Sequence, residues 1–239
     1  MPEKTALITG AAGSLGSELS RQLAQRGWNV VMLDKDRRGL ERAWDTIAED
    51  VAGVPALYPL DLAALDPEMC ETLFGTIEQE FKGLDAVVHA AAHFENLAPV
   101  EHVPPQDWLM HLQVNLNAPW LISAMALPFL RQSQGGKLLF LLEDLEKVEG
   151  ALWGAYGVSK HAVRTLVNQL ALECRSSQVE VRGVNPGPMR SAIRAKAYHA
   201  ENPAHMTPPE FSATRIAAYL EGRVQWPDVF VDLVKQNET

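Results

Sequence analysis

Three groups of side chains in this sequence are spaced for chemistry. The first is Thr9-Gly10-Ala11-Ala12-Gly13-Ser14-Leu15-Gly16, which follows an apolar run and opens into an amphipathic segment. Between a strand and a helix, glycines let the backbone turn tightly and approach a pyrophosphate. The free N–H groups and positive dipole end of the helix then stabilise its charge. The second is Asp34, which ends the run Val30-Val31-Met32-Leu33, eighteen residues beyond Gly16. A carboxylate there accepts hydrogen bonds from an adenosine ribose 2′-hydroxyl and repels a 2′-phosphate, so NAD is favoured over NADP. Lys35, Arg37 and Arg38 argue the other way, because adjacent cations hold that phosphate. The third is Tyr156-Gly157-Val158-Ser159-Lys160, a phenol and an amine four residues apart. On a helix both share one face, where the ammonium lowers the phenol pKa and holds a nicotinamide ribose. A phenol tuned this way donates a proton to a carbonyl oxygen as hydride arrives, or takes one from an alcohol in reverse.

The elements that must position these groups follow from periodicity. Apolar runs of strand length alternate with segments of helical period, the pattern of βαβ units around a parallel sheet. Strands are expected at Thr5–Thr9, Asn29–Asp34, Ala56–Pro59, Ala86–Ala90, Lys137–Leu142 and Glu180–Asn185. Helices are expected at Ser14–Arg26, Arg37–Glu49, Pro67–Phe81, Leu109–Leu130, Ala155–Arg175 and Pro209–Glu221, the fourth broken or kinked near Pro119 and Pro128. With no internal repeat or linker, residues 1–239 read as one α/β domain, a Rossmann-type doubly wound parallel sheet between two helical layers. A loop at about 190–210 is expected to cover the substrate.

Composition excludes other classes. The chain has 239 residues with 47% hydrophobic and 21% charged, which excludes disorder. Its net charge of −9 repels phosphate backbones and anionic lipid, so neither nucleic acid nor a membrane is an expected partner. No apolar stretch approaches the roughly 20 residues of a membrane span. Cys70 and Cys174 have no CxxC or Cys/His spacing and read as reduced cysteines of a cytoplasmic protein. His89 and His93 read as core or pocket lining rather than as a metal site, His199 and His205 as surface, and Trp108 and Trp120 as packing residues.

Together these motifs resemble the short-chain dehydrogenase/reductase family from Thr5 to about Ala195. The W-G-A-Y-x-x-S-K wording and the stretch Arg190–Ala197 look most like a bacterial oxidoreductase subgroup. The cofactor loop T-G-x-x-x-G-x-G is met at Thr9, Gly10 and Gly16, with Ser14 for the middle glycine and a glycine at 13 instead. Asp61-Leu62 resembles the pair that lies near the adenine, and Ala90-Ala91 falls loosely on the family's N-N-A-G. Asn115, in Val114-Asn115-Leu116, matches the active-site asparagine of the proton-relay water. Asn185-Pro186-Gly187-Pro188-Met189-Arg190-Ser191 resembles the stretch that contacts nicotinamide, which assigns Pro186, Gly187 and Ser191 to the cofactor. The resemblance implies hydride transfer between NAD(P) and a small carbonyl or alcohol, with Tyr156 as acid/base and Lys160 on the ribose. It also implies a homodimer built on Leu109–Leu130 and Ala155–Arg175, burying Val163, Leu166 and Leu170.

One departure stands out. The family's catalytic serine lies about a dozen residues before the tyrosine, where this chain has Glu143, or Asp144 in the neighbouring register. No serine or threonine occurs between Gly135 and Tyr156. A carboxylate there raises the tyrosine pKa and repels a developing alkoxide. The alternative reading is therefore a dinucleotide-binding protein impaired in turnover, acting as a redox-sensing or interaction module. The tail departs too: it lacks the family's glycine-rich signal, so Val229–Leu233 reads as a short edge strand or a packed tail, and no stable tetramer is expected.

Overall fold

The computed structural model describes residues 4–47, 51 and 53–235. β1 (Thr5–Thr9) is buried at every position and β2 (Asn29–Asp34) at all but its last, as strands covered on both faces must be. With β3 (Pro55–Pro59), β4 (Ala86–His89), β5 (Lys137–Leu141), β6 (Glu180–Asn185) and β7 (Phe230–Asp232) they form one parallel sheet in the order β3-β2-β1-β4-β5-β6-β7. The chain runs outward from β1 to β3, then returns to β4 on the other side of β1. That reversal opens a crevice at the carboxyl ends of β1 and β4, where ligands bind in such sheets.

The helices are α1 (Ser14–Gln25), α2 (Arg37–Asp45), α3 (Pro67–Phe81), α4 (Pro105–Leu112), α5 (Ala118–Gln132), α6 (Leu145–Val148), α7 (Gly154–Glu173), α8 (Ala192–Ala197) and α9 (Pro209–Leu220). One apolar core joins a sheet face to α3, α5 and α7 through residues such as Phe74, Ile122 and Val167. The other joins the opposite face to α1, α2 and α9 through Leu19, Leu40 and Ile216. This is the expected doubly wound architecture.

Several boundaries differ from the expectation. The helix expected at Leu109–Leu130 starts earlier, at Pro105, and its break lies ahead of Pro119 as the π-helical turn Gln113–Asn117, closed by the Ala118 N–H on the Gln113 carbonyl. Pro119 cannot donate to the Asn115 carbonyl, so a wider turn is accommodated there. Past Pro128 the helix runs on to Gln132. The helix expected to reach Glu49 closes at Asp45, and residues 48–49 lie outside those described. The tail follows the first of its two readings, as the edge strand β7, while α6 and α8 are additional helices of four and six residues. Val163 and Leu170 are already buried in their own subunit, in the core that α7 shares with the sheet, so they do not form the outward stripe proposed for dimer contact. The large apolar residues that do face outward on these helices are Leu109, Met110, Trp120, Val158 and Leu172.

Candidate active site

The glycine loop is shaped by close backbone approach. Gly10 has φ +70°, and a Cβ there would lie 2.6 Å from the Ala91 nitrogen. A Cβ on Gly16 would lie 2.2 Å from the Gly10 carbonyl oxygen, so the first turn of α1 can sit on the loop only without a side chain. Gly13, at the N-cap, provides no capping side chain, which leaves amides of the first turn to the cavity in front of them. The loop is tied to β2 by the Ala11 N–H on the Leu33 carbonyl (3.1 Å) and the Ala12 N–H on Asp34 Oδ2 (3.1 Å). Asp34 Oδ1 accepts from the Asp36 N–H at 3.0 Å. The carboxylate is thereby aimed by two backbone donors.

From this loop a cavity of about 390 Å³ runs across the carboxyl ends of the strands. Gly10, Gly13, Ser14, Leu15, Gly16 and Asp34 line one end, Asp61, Leu62, Ala90 and Ala91 the middle, and Glu143, Tyr156, Lys160, Pro186 and Ser191 the far end. Gly187 instead borders an adjoining chamber. Asn115 stands behind the wall and is buried. Its Oδ1 accepts from the His93 N–H (2.6 Å), while Nδ2 donates to the His93 carbonyl (2.9 Å) and Ser159 Oγ (3.1 Å), so the π-turn clamps the loop after β4 to α7. His93 lines the cavity, within the core-or-pocket-lining reading of the sequence, and Lys35 borders it beside Asp34. His89 lies in the core with its Nε2 on Ser123 Oγ (2.9 Å), and burial pushes its pKa down to about 3. His199 and His205 are exposed; Trp108 is half-buried and Trp120 exposed.

The far end carries the departure seen in the sequence. The Tyr156 hydroxyl donates to Glu143 Oε1 at 2.7 Å, whereas Asp144 is exposed at the N-cap of α6, so Glu143 is the carboxylate that meets the tyrosine. A Cβ on Gly157 would lie 2.0 Å from the Val148 carbonyl oxygen, so α6 can pack on α7 and hold the preceding turn, with Glu143, against the tyrosine. Burial, then the charge and hydrogen bond of Glu143, hold the Tyr156 hydroxyl well above the usual phenol range. This is opposite to what the tyrosine–lysine spacing alone predicts and in the direction expected of a carboxylate. Lys160 is buried, with Nζ 3.0 Å from the Leu141 carbonyl oxygen. Burial lowers its pKa, and Glu143 works against that.

The family model for short chain dehydrogenases matches residues 4–202. The chain belongs to that family. The oxidoreductase YciK of Escherichia coli (strain K12) is 31% identical over 207 residues, covering 87% of this chain and 82% of that protein. A short chain dehydrogenase from Pseudomonas syringae superposes with a TM-score of 0.90 at 29% identity, covering 97% and 96% of the two chains. One from Shigella flexneri 2a str. 301, complexed with NADP, superposes with a TM-score of 0.89 at 28% identity over 98% of each chain. Among the described residues no helix is long and apolar enough to cross a membrane.

Proposed function

We propose that this short chain dehydrogenase is an NAD(P)-dependent oxidoreductase acting on a small substrate held between Tyr156, Lys160 and Glu143. The observation that carries this is the single cavity joining the glycine loop to those three residues. A nicotinamide dinucleotide fits it: Gly10 and Gly16 leave no space for a Cβ, the uncapped amides of α1 suit a pyrophosphate, and Asp34 suits a ribose diol. When bound, the dinucleotide supplies or accepts a hydride. Lys160 holds the adjacent ribose, Asn115 keeps His93 and α7 in register, and Tyr156 exchanges the proton at its hydroxyl oxygen. Pro186 and Ser191 are assigned to the nicotinamide side and Asp61, Leu62, Ala90 and Ala91 to the adenosine half, while Gly187, on the adjoining chamber, is assigned to shaping the turn between Pro186 and Ser191. The test is fluorescence titration with NADH and NADPH, followed by turnover on a carbonyl panel with wild type and Tyr156→Phe. Binding with turnover that is lost in Tyr156→Phe supports the reading, and failure to bind either nucleotide overturns it.

NAD is the preferred cofactor because the anchored Asp34 carboxylate opposes a 2′-phosphate. A clear preference for NADPH in the same titration would transfer the deciding role to Lys35, as the NADP held by the Shigella protein suggests. A second reading, a binding module without turnover, is favoured by the Tyr156 proton lying on Glu143. Nucleotide binding with no hydride exchange would select it. The protein is proposed to work in the cytoplasm as a homodimer through outward faces of α4, α5 and α7, which carry Leu109, Trp120, Val158 and Leu172. A monomer in light scattering at micromolar concentration would refute the dimer.

A further inference from the structure

The far end of the cavity has a carboxylate that no cation touches, with Lys160 acting on it only at a distance. Glu143 borders both the main cavity and a chamber of about 50 Å³ lying among Trp153, Pro186, Met189, Arg194 and Tyr198. Among the described residues no lysine, arginine or histidine nitrogen lies within 4.0 Å of its carboxylate, and only Oε1 receives a hydrogen bond. The nearby cations are committed elsewhere. Arg194 is held by Glu201 through two bonds of 2.7 and 2.6 Å, Lys196 lies 3.7 Å from Glu95, and the Lys160 ammonium donates to the Leu141 carbonyl. Aromatic rings close the same region, with Trp153 5.7 Å from Tyr156 and 6.0 Å from Tyr198, and Phe94 5.2 Å from Tyr156. Tyr198 already has Lys147 and Arg194 over its ring, 4.6 and 4.4 Å from its centre, which leaves Trp153 as the aromatic wall of the chamber. A carboxylate with one oxygen free and an aromatic wall beside it is an arrangement that receives an organic cation, by ion pairing and by cation–π attraction.

The proton inventory points the same way. A carbonyl substrate needs a donor aimed at its oxygen, yet the Tyr156 proton lies on Glu143, and an alkoxide developing beside that carboxylate is repelled. A protonated imine brings its own proton and positive charge, and needs an acceptor instead. We propose, building on the oxidoreductase reading above, that the substrate is an iminium ion whose N–H is accepted by Glu143, and that the chain is a C=N reductase. A hydride with its electron pair adds to the iminium carbon, and the C=N π pair passes to nitrogen. A neutral amine and the oxidised nicotinamide result. With this substrate no proton is required of Tyr156: its hydroxyl orients the carboxylate, and the proton exchange assigned to it above is confined to carbonyl and alcohol substrates.

The experiment uses the full chain with NADH and NADPH. The imine probes are 2-methyl-1-pyrroline and 3,4-dihydroisoquinoline, each paired with a neutral ketone of similar size, cyclopentanone and 2-tetralone. Wild type is expected to reduce the imines in preference to the ketones. Glu143→Gln should lower kcat/KM for imines by about a hundredfold, the scale of removing one charge-stabilising group. Glu143→Ser should reverse the preference toward ketones, a gain that misfolding cannot produce. Independently of turnover, calorimetry without nucleotide should detect 2-methylpyrrolidinium binding to wild type and at least about tenfold weaker binding to Glu143→Gln, the scale of one lost charge-assisted contact. Ketones reduced faster than imines by wild type, or no turnover of either imine by a sample that binds nucleotide, overturns the proposal. Failure to bind nucleotide at all would instead overturn the oxidoreductase reading.

Discussion

Replacing Gly16 by Ala separates two opposed effects of one methyl group. Gly16 lies in the first turn of α1, where alanine gains up to about 1 kcal/mol of helix propensity over glycine. Against this, the new Cβ would stand 2.2 Å from the Gly10 oxygen, 2.8 Å from the Gly10 carbonyl carbon and 3.0 Å from Ala11 Cα, where ordinary contact begins at 3.4 Å. All three neighbours are backbone atoms, so relief requires moving the loop itself, which places the strain near the top of the roughly 1–3 kcal/mol range for overpacking. The net loss is then about 2 kcal/mol, and thermal denaturation should fall by about 4–8 °C for a chain of this size. A displaced loop also loses an amide contact to a phosphate, worth about 1.5–3 kcal/mol. NADH affinity should accordingly drop roughly tenfold to hundredfold. The control is Gly75→Ala in α3, where a Cβ meets nothing within 4 Å. That variant should gain about 0.5–1 kcal/mol with nucleotide affinity unchanged. If Gly16→Ala melts with wild type and binds NADH equally well, the account of the loop as a close-packed phosphate cradle is wrong.

Other outcomes follow from the charged groups. Glu180 accepts from Lys137 Nζ (2.6 Å) and the Tyr219 hydroxyl (2.7 Å); burial pushes its pKa up, but these bonds and the charges of Lys137 and Arg182 outweigh it and hold the carboxyl below its usual value. A depressed carboxyl stabilises the fold above the unfolded-state pKa of about 4.5 and loses that contribution as pH falls through the folded value, so urea midpoints should decline below that pH, less steeply in Glu180→Gln. Glu180→Ala should cost about 3 kcal/mol in denaturant titration at pH 7, since it leaves the buried Lys137 ammonium uncompensated. The raised Tyr156 pKa predicts that alcohol oxidation, which needs the phenolate as base, climbs toward alkaline pH with no plateau at neutrality; Glu143→Ser should move that limb to lower pH in rate profiles.

The strands were legible because both sheet faces are covered, so each reads as an apolar run between turn signals, and all six expected strands exist within a residue or so. The glycine loop, Asp34, Tyr156 and Lys160 were legible because their chemistry is tied to fixed spacing on a strand or helix. Elements held by tertiary contact were not. β7 was legible only as one of two readings of Val229–Leu233, because it is three residues long, pairs with β6 alone and has no room for a period. α6 exists because Gly157 lets its backbone approach α7, a contact that leaves no trace between residues 145 and 148. α8 needs the Ser191 cap on the Arg194 N–H and the Arg194–Glu201 pair to hold its turn. The misplaced dimer stripe had the same origin. Helical spacing groups Val163 and Leu170 on one side, but cannot tell whether that side meets the subunit's own sheet or a second subunit.

The carboxylate at position 143 also changes what Lys160 costs. A buried ammonium whose one bond is to a carbonyl oxygen is poorly compensated, and its pKa falls through burial. Glu143 is the charge that opposes this fall, so the two form a loosely coupled neutral pair across the tyrosine, with Lys160 Nζ 5.5 Å from the Tyr156 ring centre. A serine in place of Glu143 would leave Lys160 as the lone charge at this end, suited to a developing alkoxide. With Glu143 present, that charge is offset at a distance, and the free oxygen of the carboxylate favours by direct contact a substrate that arrives positive and leaves neutral. Removing Glu143 should therefore have two linked consequences: the Lys160 pKa falls further, and preference for anionic transition states returns. NMR titration of the Lys160 side chain in wild type and Glu143→Ser reads the first. A Lys160 that titrates identically in both would show that the two charges do not communicate, and that substrate charge is selected elsewhere.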